Sequence, residues 1–133
     1  LRVAGCLIEH EGQILILHRS KVETAPSLWG LPAGKVEKDE TDLQAIIREV
    51  NEETGIKLNP ESIELAGELP IEYPDITVTF PVFKVLLDKK PDVKLSPREH
   101  INYSWLTPND ILTLPNLMRD VDVIIDKFAK PLQ

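Results

Sequence analysis

Between Thr41 and Gly55 the chain carries signals for both ends of one helix, and these limit the fold more than any other feature. Thr41 is a good N-cap, Gln44 three residues later completes a capping box, and Gly55 suits the position just past a helix end. Leu43, Ile46, Ile47 and Val50 recur at i, i+3, i+4 and i+7, so the spacing predicts a helix over Asp42–Thr54 with one buried stripe. Such a helix needs a second layer to cover that stripe, and the flanking sequence supplies strands. Residues 2–10 and 14–18 are apolar runs about the turn Glu11-Gly12-Gln13 and read as a β-hairpin. Residues 63–69 and 76–87 read as strands, with Pro81 implying a bulge or an edge position in the second. A short strand over 101–106 precedes Thr107-Pro108, a cap and first position for a short helix. Leu117, Val121, Ile124, Ile125 and Phe128 have helical spacing and predict a second long helix. Residues 19–28 and 88–98 are polar, carry prolines and should be loops. The whole is one α/β domain of 133 residues, two main helices covering a curled mixed sheet.

Composition excludes several functions. A net charge of −7 provides no basic footprint for a nucleic-acid polymer. No apolar run approaches the roughly 20 residues of a membrane span, and strand-like sequence begins at Leu1, so no signal peptide is expected. Cys6, the single cysteine, cannot form an internal disulfide, which suits a buried thiol in a cytoplasmic protein. Small anionic substrates remain open to an acidic chain if a divalent cation lies between its carboxylates and a phosphate.

The helix carries such carboxylates. Glu49, Glu52 and Glu53 fall at i, i+3 and i+4, gathered within about 100° of arc beside the apolar stripe. Ala45, one turn earlier, leaves room for an approaching group. Like charges at this spacing destabilise a helix by a few tenths of a kcal/mol, so a bound cation explains the cluster more readily than stability does. Oxygen donors without His or Cys select Mg²⁺, with Mn²⁺ as substitute. From the helix alone, a solvated acidic face is the simpler explanation; the flanking residues reverse that preference.

From Gly34 the chain reads glycine, five residues, Glu40, seven residues, Arg48-Glu49-Val50, one residue, Glu52-Glu53, one residue, Gly55-Ile56. This resembles, at every defined position, the signature box of the Nudix hydrolases. Seven fixed identities make a chance match in one window rarer than about one in ten million. Leu31-Pro32-Ala33, Tyr73-Pro74-Asp75 and Glu99 before Trp105 resemble the MutT-like branch more loosely. The resemblance implies an α/β/α sandwich and hydrolysis of a nucleoside diphosphate linked to another moiety, by water attack on phosphorus. It implies Glu49 and Glu53 as principal Mg²⁺ ligands with the backbone oxygen of Ala33, Glu52 as ligand or general base, and Glu40 as an outer ligand. Arg48 would orient a box glutamate, and Glu99 would add a ligand or base. Arg19 and Lys35 would hold phosphates or lie solvated on the surface, Tyr73 would stack on a base, Phe80 would do so or, on the simpler reading, pack in the core, and Asn116 would contact a base or, more simply, cap the last helix. Trp29 and Trp105 are structural on this reading, and His10, His18 and His100 have no metal spacing. The expected substrate is a nucleoside triphosphate, oxidised or non-standard ones included. ADP-ribose and diadenosine polyphosphates are rivals, and a nucleotide-sensing domain without catalysis is the alternative of another class. Family members are often dimers, so a homodimer is implied by analogy. Residues 30–36 look like a P-loop but have three residues between the glycines where four are needed, and Val36 where Ser or Thr is required.

Overall fold

A computed structural model describes residues 1–20 and 27–129. Strands β1 (Val3–His10) and β2 (Gln13–Arg19) form the expected hairpin, with Glu11 and Gly12 both at positive φ in its turn. The two strands pair only beside that turn, at Glu9–Ile14 and His10–Gln13, and then part. Into the opening runs the segment carrying β3 (Trp29–Gly30) and β4 (Ala33–Lys35). β3 pairs with β2 at Leu17–Gly30, while β4 pairs with β1 at Gly5–Ala33 and Ala4–Gly34. Between them the Cys6 N–H donates to the Pro32 carbonyl at 3.0 Å. The segment thus satisfies backbone groups that the parted hairpin would leave unpaired.

Helix α1 (Asp42–Thr54) has the capping box in full and ends on Gly55 at φ 76°. β5 (Ile63–Glu72) and β6 (Thr77–Leu86) pair antiparallel, β6 runs parallel to β1, and β7 (His100–Leu106) lies on the outer side of β2. The main order is β3-β2-β1-β6-β5, with β4 on β1 and β7 on β2. One face packs Ala4, Cys6, Ile8, Leu15 and Leu17 against Ile46 and Val50 of α1. The other packs Leu7, Ile14, Ile16 and Val82 against Ile111 of α2 (Pro108–Leu112) and Val121, Ile124 and Ile125 near the C-terminus. Burial of both faces explains why β1 and β2 read as apolar runs rather than as alternations.

Three expectations are corrected. The bulge lies in β5, between Leu65 and Gly67, and β5 is the edge; Pro81 pairs with Glu68 within an inner strand, one residue before the ladder to β1 starts at Val82. The second long helix is short: α3 (Val121–Ile124) continues as a π-helical turn, Ile125–Ala129. It cannot start at Leu117, which bridges Trp29 in extended backbone, and Asp120 at φ 67° resets the chain before Val121. Both predicted strands on the β5–β6 side are displaced at their ends, β5 reaching Glu72. The loop expected over 19–28 falls partly on residues 21–26, outside the described residues. Cys6 is fully buried, and burial pushes its thiol up to about 12.

Ile46 is fully buried at the centre of the α1 face, whereas Ile47 is only partly covered. Ile46→Ala should cost about 3 kcal/mol and Ile47→Ala less than half of that, measured by urea unfolding. Equal losses would show that the helix sits rotated from this packing.

Candidate active site

The parted hairpin brings three distant stretches of chain together. β4 lies beside α1, and its Gly34 has no side chain, so the Glu49 carboxylate occupies the space a Cβ would fill. The Ala33 N–H donates to Glu53 Oε1 at 3.2 Å. Glu99 arrives from the other side, on a turn in which its N–H and that of His100 both donate to the Ser96 carbonyl. The Ser20 N–H, at the end of β2, holds the Glu99 carbonyl at 2.7 Å.

Arg48 orders the carboxylates. Its Nε and Nη2 donate to the two oxygens of Glu40 at 2.8 and 3.0 Å, Nη1 to Glu49 at 2.8 Å, and Nη2 also to the Lys35 carbonyl at 3.0 Å. Glu52, more exposed, lies 3.4 Å from Nη1. The Arg48 hydrogen bonds hold Glu40 at about 2, with the Glu37 N–H assisting. Glu53 is the opposite case. Only 3% exposed, it is pushed up to about 9 by burial first, with the charges of Glu49 and Glu99 and a hydrogen bond to Glu49 adding to the shift. Burial likewise raises Glu49, against the pull of Arg48. Positive charge is therefore in deficit at Glu49 and Glu53.

A cavity of about 550 Å³ opens beside Glu53. Ala33, Gly34, Glu53 and Glu99 are in its wall, as are Arg19, Tyr73 and Phe80; most of the remaining wall is apolar. Lys35 and Asn116 are not among its lining residues. Lys35 faces outward and lends its carbonyl to Arg48, while Asn116, at φ 60°, accepts the Trp29 N–H and does not cap α3. Ala45 is fully buried against the sheet and gives no approach. Glu40 spends both oxygens on Arg48 and the Glu37 N–H, and Ala33 meets Glu53 through its N–H rather than its oxygen. His100 and Arg119, neither singled out from the sequence, also line the cavity. His100 is buried with its Nδ1 unpartnered, and burial lowers its pKa. No sequence pattern marks either; their roles follow from the β2–β7 pairing and the turn before α3.

Among the described residues no three His, Cys, Asp or Glu side chains enclose a metal position as they stand. The donors nevertheless fit Mg²⁺, which keeps several waters and needs only one or two carboxylates beside substrate phosphates. The observation that supports the fit is Glu53: a buried carboxyl beside Glu49 with no cation of its own, a lack that a divalent ion would fill.

Two outcomes follow. In Gly34→Ala the new Cβ meets the far end of a flexible Glu49 side chain, which swings aside at little cost. The melting temperature should stay within about 3 °C while turnover falls about a hundredfold, because a 1 Å misplacement at a site costs that much. Unchanged turnover would remove Glu49 from the site. In chelator, native Glu53 retains its proton up to about pH 9 whereas the unfolded group loses it near 4.5. The native state then binds more protons across that window, so stability should fall as pH rises through it. Glu53→Gln should abolish that decline; chelated wild-type and variant proteins with parallel urea midpoints from pH 5 to 9 would refute the assignment.

Comparison with known proteins identifies the family and the fold. The NUDIX domain family model matches residues 1–128. A CTP pyrophosphohydrolase of Escherichia coli K12 is 29% identical over 126 residues, 93% of this chain and 88% of that protein. Among solved structures, a MutT protein from Methanosarcina mazei Go1 superposes with a TM-score of 0.81 at 35% identity, covering 96% of this chain and 91% of the other. A Caenorhabditis elegans Ap4A hydrolase gives 0.78 at 26% identity, covering 96% and 94%. The resemblance carried by the box thus extends over nearly the whole chain, which belongs to the Nudix family and, within it, to the MutT-like hydrolases acting on pyrophosphate bonds.

Proposed function

We propose that this hydrolase cleaves nucleoside triphosphates, oxidised or non-standard ones included, to the monophosphate and pyrophosphate, with Mg²⁺ as cofactor and Mn²⁺ as substitute. The buried Glu53 carboxyl at the wall of the apolar cavity carries the reading: it sets a charge-deficient site beside a space fit for a nucleoside. Glu49 and Glu53 would hold the cation. When bound, it supplies neutralisation of phosphate charge, polarisation of the attacked phosphorus and a water of lowered pKa.

The chain's own residues do the rest. Arg48 keeps Glu49 aimed at the site, and Glu40 fixes Arg48 in turn. Glu52, on the exposed face of α1 beside Arg48, takes the proton of the attacking water, with Glu99, which lines the cavity, as its rival for that role. Water oxygen bonds to phosphorus, the bridging P–O bond breaks, and the proton finally resides on pyrophosphate or solvent. Arg19, in the cavity wall, meets the phosphates; Lys35 has no place in this scheme. The Ap4A hydrolase among the structural neighbours supports diadenosine polyphosphates as a second substrate class. We assign the chain to the cytoplasm as a single domain, and to a homodimer by analogy with the family. Among the described residues no helix is long and apolar enough to cross a membrane.

A panel of nucleoside triphosphates, ADP-ribose and diadenosine tetraphosphate, assayed with Mg²⁺ and scored by products, tests the substrate. Release of pyrophosphate from triphosphates is the expected result. Tight binding without cleavage anywhere in the panel would favour a sensor. Glu53→Gln should lower Mg²⁺-dependent turnover by about a hundredfold or more while the protein stays folded. Near wild-type turnover in that variant would defeat the metal assignment.

A further inference from the structure

We infer that Arg119, stacked on Tyr73 at the far end of the cavity, reads the nucleobase and selects bases that carry a ring carbonyl over adenine. This rests on the nucleotide reading of the cavity given above. Three observations carry it. Arg119 and Tyr73 both line the cavity that holds Glu53 and Glu99. The Arg119 guanidinium lies over the Tyr73 ring at 4.7 Å from its centroid, and its Nη2 donates to the Glu72 carbonyl at 2.8 Å. Nε lies 3.4 Å from an Asp120 oxygen, so the guanidinium is held in place from two sides and on one face.

The strand register places this pair far from the carboxylates. Gly5 is flanked by Ala33 on one side and Val82 on the other, and from Val82 the strand runs six residues back to Ile76, whose carbonyl takes the Tyr73 N–H. At the usual rise that is roughly 20 Å of strand. Phosphates at the Glu53 end of the cavity, beside Arg19, therefore leave the base to reach Arg119. Val3, Ile71, Val78 and Phe80 in the wall contribute apolar surface with nothing to discriminate one base from another.

Discrimination must come from polar groups, and Arg119 is equipped for it. Its Nη1 has no partner among the described residues, which leaves N–H donors and no acceptor. Donors of this kind pair with adjacent acceptors such as guanine O6 and N7, or with the carbonyl edge of a pyrimidine. Adenine keeps N7 as an acceptor but sets a donor, its amino group, where guanine has O6, and it has no carbonyl like that of a pyrimidine, so it lacks the second acceptor. The exposed face of the guanidinium, backed by Tyr73, also gives the base a surface to stack on. Because Glu72, Asp120 and Tyr73 already fix the guanidinium, little side-chain freedom is lost when a base docks.

The test is calorimetric titration with CMP, GMP, AMP and ribose 5-phosphate, which requires no turnover. Wild-type protein should bind CMP or GMP about tenfold more tightly than AMP. Arg119→Ala should erase that preference while leaving the affinity for ribose 5-phosphate within about twofold, and Arg119→Lys, which keeps the charge without the planar fork, should fail to restore it. Thermal melts of both variants check folding. Equal affinity for AMP in the wild type, an intact preference in Arg119→Ala, or a parallel loss of ribose 5-phosphate binding would each overturn the proposal. So would the absence of measurable binding by all four probes. A protein that shows the preference yet releases pyrophosphate from no triphosphate loses the substrate reading alone. One that cleaves every triphosphate with equal kcat/KM loses only the role of Arg119.

Discussion

Everything at the site depends on the early parting of β1 and β2. A hairpin closed along its whole length would pair Gly5 and Cys6 with β2 and leave no edge for β4. Parted, it exposes two rows of backbone donors and acceptors that must find partners, since each buried orphan costs about 1–3 kcal/mol. The segment from Trp29 to Lys35 meets that demand on both sides at once, which is why it runs in extended backbone with small residues. Its position is therefore set by the sheet. The Ala33 N–H and the bare Cα of Gly34 are delivered to α1 with the precision of strand pairing, and Leu31 just before them anchors the segment in the opposite core.

Charge balance then defines what the site can do. Arg48 is one cation serving Glu40, Glu49 and, at longer range, Glu52 and Glu37. Glu40 takes the bidentate share, so the inward carboxylates are left undercompensated. A buried carboxyl raised this far is a standing cost to the native state, one that an apolar residue of similar size would avoid. The fold tolerates it because the two cores on either side of the sheet are dense with fully buried Leu, Ile and Val. Stability is supplied by the sheet and relinquished at one end of α1.

Local signals explain how much of this was readable. The limits of α1 and its cap are encoded within single turns of helix, and the structure agrees residue by residue; of the stripe, Ile46 and Val50 are fully buried while Leu43 and Ile47 are only partly so. The box spacing made the family legible, and with it the α/β class. What escaped depends on distant pairing. The parting of the hairpin, the arrival of His100 beside the cavity and the stacking of Arg119 on Tyr73 join residues with no local signature linking them. The last helix failed for a related reason: its apolar spacing was genuine, but Leu117 uses its side chain in the same core from extended backbone, and periodicity cannot distinguish the two. Asn116 was chosen by likeness of position, and neither it nor Lys35 is among the residues that line the cavity.

The placement of Glu99 has a kinetic side. Glu49 and Glu53 come with α1, a local structure that can form early, and β4 needs only β1. Glu99 reaches them only after β7 has docked on β2, where Ile14 meets Leu106 near the opposite end of the chain. Closing so long a loop carries an entropic cost that the local structure of α1 does not. A chain arrested before that step would hold its α1 carboxylates without the third, and a nascent chain on the ribosome would be in the same condition. Assembly of the cavity wall thus coincides with the completion of the sheet.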